Sequence, residues 1–360
     1  MFIYLFIGFF FGILALLEPL YKVNDTVFRK ILHGYLFLLV SLFVIVIVGF
    51  REIGFDYESY SFIFKMLSSS YWSENANVVM VEKGYAFLNY WLVSFRLLFV
   101  VMALMTVGLQ FSFIYKYSPL PFFSLFLYLG IFFYASLMGQ YRQALALGFI
   151  LWAFVFKDRK FLFLILMIGA ITFHVSSMLA FIVLLVSKQV YQLRWYIIGI
   201  LLALFSNLAL KPLLVDFSNF MPDFVKDKLN HYLLVEEGLS LGLNLSMLLK
   251  SVTFILFYYY RDKLSEYKFG EYFLNIYYIS LLVYLGLGFL PQLSGRGSIY
   301  FYFVEIILAA MIVVKEVGIR RVLVMAFFML VCVYRQINFF TLWGHDYIPY
   351  KNSLLNILGF

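Results

Sequence analysis

Four arginines lie beside or inside apolar runs of the chain: Arg51 in GFREIGFDYESY, Arg142 in GQYRQALALGF, Arg296 in LSGRGSIYFYF and Arg335 in VCVYRQINFF. A guanidinium keeps its charge at any biological pH and binds planar oxyanions through a fork of donors. Arg142 sits at a predicted helix start, flanked by Gln140, Tyr141 and Gln143, and Arg296 sits between two glycines just before another. Free N–H groups and partial positive charge at a helix N-terminus make such positions anion sites. Groups able to move a proton are few: Asp56 near Arg51, Glu82 in EKGYAFLNYW, His174 in ITFHVSS and Glu305 after Arg296. The same residues also have plain structural readings. Arg51 can anchor a span by snorkelling, each arginine can pair with Asp56, Glu82 or Glu305, and a histidine in an apolar helix is commonly packed and hydrogen-bonded.

The elements that position these residues must be membrane helices. Of 360 residues 64% are hydrophobic and 13% charged, against roughly 45–50% and about 25% in soluble domains. That surplus cannot be hidden inside a globule of this size, which excludes a water-soluble enzyme. A span takes about 20 residues. The apolar runs predict spans at 1–20, 34–50, 97–115, 121–138, 142–156, 195–210, 245–260, 272–290, 298–314 and 322–341, with a further segment at 161–187. The fold class is therefore an all-α polytopic integral membrane protein of about 11–12 transmembrane helices, some short or broken, read as one transmembrane domain over 1–360. The opening run has no basic n-region and reads as the first span rather than a removable leader.

The segment 161–187 sets the orientation. It lies between Lys157, Arg159 and Lys160 on one side and Lys188 and Arg194 on the other, and basic loops stay in the cytoplasm. A bent pair of short helices turning near Thr172, His174, Ser176 and Ser177 keeps both clusters inside. Irregular backbone at membrane depth is tolerated where it is buried in protein or lines a wet cavity. Both termini then face outward, as do two longer segments at about 51–96 and 211–244. The second carries Phe217, Phe220, Phe224, Leu229 and Tyr232 at helical spacing and predicts amphipathic helices on the membrane surface. The net charge of +8 is spread through short loops and reflects orientation, not nucleic-acid binding. The lone Cys332 forms no intrachain disulfide, and with no D-x-D, H-E-x-x-H or cysteine/histidine cluster a protein-held metal is not expected; nor is a cofactor.

Taken in order, R-E-I-G-F-D-Y-x-x-Y, E-K-G-Y, G-Q-Y-R-Q-A-L-A, F-H-V-S-S, R-G-S-I-Y-F-Y-F and I-P-Y-K make the chain resemble the EpsG-like group of Wzy-type bacterial polysaccharide polymerases over nearly its whole length. The resemblance implies glycosyl transfer at the outer face of the cytoplasmic membrane. By the resemblance a glycan on undecaprenyl diphosphate passes from its carrier to a newly delivered lipid-linked repeat unit, with membrane lipid and a chain-length regulator as expected partners. Its leaving group is a weakly basic lipid diphosphate, so cations matter more than a strong acid. In that reading Arg51, Arg142, Arg296 and Arg335 hold the diphosphate, and one of His174, Asp56 or Glu82 takes the acceptor proton. Tyr57, Tyr60, Gln140, Tyr141, Gln143 and Tyr300 are candidate glycan contacts, while most of the 45 Phe, 29 Tyr and 5 Trp serve packing and lipid contact. Two other classes fit the same pattern: a lipid-linked oligosaccharide flippase, which needs a polar path to the cytoplasmic face, and a related ligase or glycosyltransferase that differs in its acceptor.

Overall fold

A computed structural model describes residues 2–21, 27–68, 81–218 and 244–354. The predicted surface helices at 211–244 and the basic Lys22 fall largely or wholly outside these residues. Among the described residues the regular structure is all helical, with a single isolated antiparallel bridge between Arg51 and Asn352. Among them, too, six helices are long and apolar enough to cross a membrane: Phe2–Pro19, Val27–Gly49, Phe95–Tyr117, Leu193–Leu210, Ser294–Lys315 and Gly318–Asp346, and shorter apolar helices accompany them. Phe9, Leu201 and Phe205 are 71%, 59% and 67% exposed, apolar surface suited to lipid rather than water. The chain is an all-α polytopic membrane protein.

The chain divides into two compact units, Met1–Phe181 with Ala309–Phe360, and Ile182–Leu308. In the first, α1 (Phe2–Tyr21), α2 (Val27–Gly49), α3 (Tyr57–Ser68), α4 (Lys83–Trp91), α5 (Phe95–Tyr117), α6 (Pro121–Tyr128), α7 (Tyr141–Val155) and α8 (Lys160–Phe173) follow in order. A π-helical stretch, Leu129–Leu137, extends α6, the kind of helical irregularity that recurs near functional sites. α6, and α7 beyond its Arg142–Gln143 start, are apolar all round and buried along most of their length. Around them α1 packs on α6, α2 on α5, and α5 and α8 on α7. Buried Glu18 ties three helices together: its carboxylate accepts the Phe123 N–H at the start of α6 at 2.9 Å and meets His33 Nε2 of α2 at 2.8 Å.

The segment read as a bent pair does bend. α8 ends at His174, whose extended backbone (φ −156°, ψ 110°) breaks the helix, and a 3₁₀ helix continues over Val175–Leu185. Rings of Phe163 and Phe181 meet at 5.7 Å although they are far apart along the chain. A continuous helix would separate them by about 27 Å at 1.5 Å per residue, so the backbone doubles back at His174.

The second unit holds α9 (Leu193–Ser218), α10 (Leu245–Tyr259), α11 (Arg261–Leu264), α12 (Gly270–Gly286) and α13 (Pro291–Tyr302). Buried Asn275 organises it. Its amide donates to the Ser187 and Gln189 carbonyls at 2.9 and 2.8 Å, and its oxygen accepts the Tyr196 hydroxyl at 2.5 Å. Such a satisfied polar knot fixes one packing among many that greasy helices could adopt.

Candidate functional site

Beyond α2 the backbone leaves the helix, and the segment carrying Arg51 is held by the C-terminal IPYK region. Glu52 N donates to the Lys351 carbonyl at 3.0 Å, Ser353 N to Phe50 O at 2.9 Å and Gly54 N to Asp346 O at 3.2 Å. The hydroxyl of Tyr350 donates to Ile47 O at 2.8 Å. Gly54 has φ +116°, and any Cβ there would strike the Met138 carbonyl and the Arg51 guanidinium. Arg51 is only 2% exposed. Its guanidinium carbon stands 4.5 Å from the Tyr141 ring and 5.0 Å from that of Phe99, a cation–π cradle that compensates part of its desolvation. Nη1 donates to the Ile53 carbonyl, while Nε and Nη2 have no protein hydrogen-bond partner among the described residues.

On the other side of Tyr141 is a second, denser group. Arg142 follows the first residue of α7, with Gln140 as N-cap. Its Nη1 donates to Glu82 Oε2 at 2.5 Å, and its guanidinium carbon lies 5.8 Å from the Tyr60 ring and 5.5 Å from the Tyr85 ring. Glu82 is the N-cap residue of α4. Its second oxygen, Oε1, lies 3.3 Å from His174 Nδ1 and accepts the Val175 N–H at 3.3 Å. The carboxylate thus caps the 3₁₀ helix just after the bend and meets the imidazole at the bend itself. Side chains of Arg142, Glu82 and His174 are 24%, 15% and 20% exposed, sheltered yet reachable. Burial opposes ionisation of Glu82, but the adjoining His174 imidazole and the Arg142 guanidinium outweigh it and hold the carboxyl at about 2, below its ordinary 4.5. Glu82 is therefore a permanent carboxylate at biological pH. Asp56 joins through Tyr60, whose hydroxyl donates to Asp56 Oδ2 at 3.4 Å; burial pushes that phenol up to about 12.

Of the residues singled out from the sequence, Glu82, Arg142 and His174 meet directly, Tyr60 and Asp56 adjoin them, and Arg51 stands behind Tyr141. The pairing read as the structural alternative for the arginines is realised at Arg142, whose partner is Glu82; its Nε nevertheless has no partner among the described residues, so part of its donor fork is unspent. Tyr60, Tyr85 and Tyr141 are enclosed, at 2%, 1% and 1% exposure, and pack against guanidinium groups. Gln143 is buried and Gln140 half-buried. In the second unit Arg296 is exposed and lies inside α13, not ahead of a helix start, because the helix begins earlier at Pro291 with a proline at its first position. The glycines that read as a break are ordinary in membrane helices. Tyr300 of the same helix is fully buried. Buried Glu305 accepts the Tyr277 hydroxyl at 2.9 Å. Arg335 is half-buried on the long helix Gly318–Trp343.

Two contributors leave little sign in the sequence. Gly84 lets α4 approach the end of α8, since a Cβ there would stand 2.8 Å from the Thr172 carbonyl oxygen. Arg96, at the start of α5, shares with Arg51, Glu52, Tyr57, Phe95 and Phe99 the lining of a 390 Å³ cavity. No group of three or more His, Cys, Asp or Glu among the described residues is placed to hold a metal ion.

A polytopic helical membrane protein that shelters a carboxylate between an arginine and a histidine, beside a second buried arginine, is the class that fold and site define. The chain matches the model of the EpsG family over residues 34–352, and it belongs to that family. It is accordingly a membrane protein of the polysaccharide polymerase type. No curated protein and no solved structure matches it.

Proposed function

We propose that the chain joins undecaprenyl-diphosphate-linked oligosaccharide repeat units into polysaccharide at the outer face of the bacterial cytoplasmic membrane. The observation that carries this reading is the Arg142–Glu82–His174 group. The acceptor hydroxyl of the incoming repeat gives its proton to His174 Nε2, the ring nitrogen away from Glu82, as its oxygen bonds the anomeric carbon of the growing glycan. The bond from that carbon to the diphosphate breaks, and the lipid diphosphate leaves with the electron pair. Glu82 holds the imidazole in orientation and balances the imidazolium charge that forms. Asp56, linked through Tyr60, supports the same station. Arg51, Arg142 and Arg335 are assigned to the diphosphate, whose oxygens gain charge as the bond breaks. Tyr57 and Gln140, which keep surface free, are the first glycan contacts in this assignment, with Tyr60, Tyr141 and Gln143 behind them.

The test is the glycan of cells lacking this gene. Single repeats in place of a ladder of long chains are expected, with the ladder restored by the wild-type gene and not by His174→Ala. Long chains of normal distribution without the gene would overturn the reading; repeats trapped at the cytoplasmic face would point to transport, and unaltered chains that fail to reach their final acceptor to a ligase.

A further inference from the structure

Beside Arg51 lies a cavity whose Arg96 and Glu52 take no part in the chemistry above. Two guanidinium groups and one carboxylate, those of Arg51, Arg96 and Glu52, line it with aromatic walls, and its 390 Å³ falls within the roughly 300–1,000 Å³ of small-molecule sites. Its charges do not cancel. Arg96 and Glu52 make only a loose contact of 3.9 Å, with side chains 50% and 34% exposed, an arrangement of little strength that can open. Arg51 is almost wholly buried and has two nitrogens without a protein acceptor among the described residues. Buried donors left unmade are costly, and an oxyanion is the group that satisfies a guanidinium edge best. The rings of Tyr141 and Phe99, each in cation–π contact with Arg51, and Tyr60, which packs against both rings and carries Arg142 on its own face, stand between this cavity and the Glu82–His174 station. The cavity and the station are therefore neighbours across these rings, and one substrate can reach both.

We infer that this cavity is an anion subsite in which Arg96 and Arg51 bind a phosphoryl or carboxylate group carried by the substrate, with the Glu52 carboxylate occupying the place of that anion at Arg96 until it arrives. Tyr57, half-buried on the cavity wall, faces the attached sugar or the first carbons of the lipid. The anion has two possible carriers, the lipid diphosphate or an acidic sugar of the repeat. The inference rests on the polymerase reading for the identity of the carrier and not for the binding itself.

Calorimetric titration of the full-length protein in lipid nanodiscs tests it with two probes, geranyl diphosphate and glucuronate. Arg96 is half exposed, so Arg96→Ala leaves the fold intact. At least one probe is expected to bind the wild type, to bind Arg96→Ala roughly ten- to hundredfold more weakly, as loss of a charge-assisted contact requires, and to bind Glu52→Gln more tightly because the internal competitor is gone. Preference for geranyl diphosphate assigns the cavity to the carrier lipid, and preference for glucuronate to the repeat unit. No binding by the wild type, or affinity unchanged in either variant, overturns the inference. If binding fails while cells lacking the gene lose their glycan ladder, the cavity assignment falls and the polymerase reading stands; Arg96-dependent binding alongside an undisturbed ladder leaves the cavity assignment standing and removes the polymerase reading.

Discussion

Gly84 and Thr172 touch so closely that no side chain fits between them: a Cβ on Gly84 would lie 2.8 Å from the Thr172 carbonyl oxygen and 3.0 Å from the Thr172 Cβ. This contact sets the distance between the N-terminus of α4, where Glu82 sits, and the bend that carries His174. Gly84→Ala pushes the two apart against backbone, which cannot swing aside as a side chain can. The expected result is normal insertion and amount in the membrane with a glycan ladder reduced to single repeats. A ladder of normal length in Gly84→Ala would show that the spacing does not matter.

Arg142 neutralises a sheltered carboxylate, and its removal leaves Glu82 without its guanidinium partner. Arg142→Ala should lower stability by about 1–3 kcal/mol, the usual cost of leaving one side of a partly buried polar pair unmade, and should also remove activity. The double variant Arg142→Ala with Glu82→Gln should recover much of the stability and none of the activity, because the stranded charge is gone while the catalytic group is not rebuilt. Thermal unfolding in detergent and glycan analysis in cells measure the two separately.

Glu82 makes part of the stability depend on pH. Its value in the folded protein, about 2, lies below its ordinary 4.5, so the ionised carboxylate contributes its full stability above 4.5 and loses it as pH falls from there toward about 2. The stability gap between wild type and Glu82→Gln should therefore be constant above 4.5 and shrink below it. A gap that closes nearer neutrality would mean that Glu82 is not held by Arg142 and His174 as described.

The C-terminal segment works as a strap over the extended stretch that carries Arg51. Tyr350→Phe removes one hydroxyl that donates to Ile47 and accepts from Asn352 at 2.7 Å, and should cost about 1 kcal/mol in stability. A chain ending at Trp343 loses every backbone bond from this segment to residues 50–54. It should insert normally and lose polymerisation, whereas retained long chains would show that the strap is dispensable.

The helical architecture is legible in the sequence because lipid imposes it: long apolar runs mark the helices able to cross the membrane. The bend at His174 can be read for the same reason, since basic clusters flank it and polar residues interrupt the run. Arg142 at a helix start is legible from its sequence neighbours. Its partner is not, because Glu82 lies in an aromatic-rich stretch, 82–115, whose span boundaries do not stand out from its hydropathy, and a contact between residues so distant in the chain leaves no local trace. The closure of Arg51 by residues 346–353 is hidden likewise, although both segments read as outward-facing. Arg96 follows Ser94, whose side chain caps α5 by accepting from Leu97 N; serine before an apolar run is the available signal. The glycines around Arg296 suggest a helix start because glycine breaks helices in water, a rule that loses force where tight helix packing favours small residues.

The proposed roles of Glu82 and His174 on the acceptor proton predict that their loss affects turnover and not substrate binding. Purified protein given synthetic lipid-linked repeat unit tests these roles by measuring turnover and substrate affinity on the same preparations of wild type, Glu82→Gln and His174→Ala. Turnover should fall by roughly 10²–10⁴-fold in His174→Ala, as loss of a general base entails, and by less in Glu82→Gln, with affinity unchanged in both. Wild-type turnover by His174→Ala would contradict the claim.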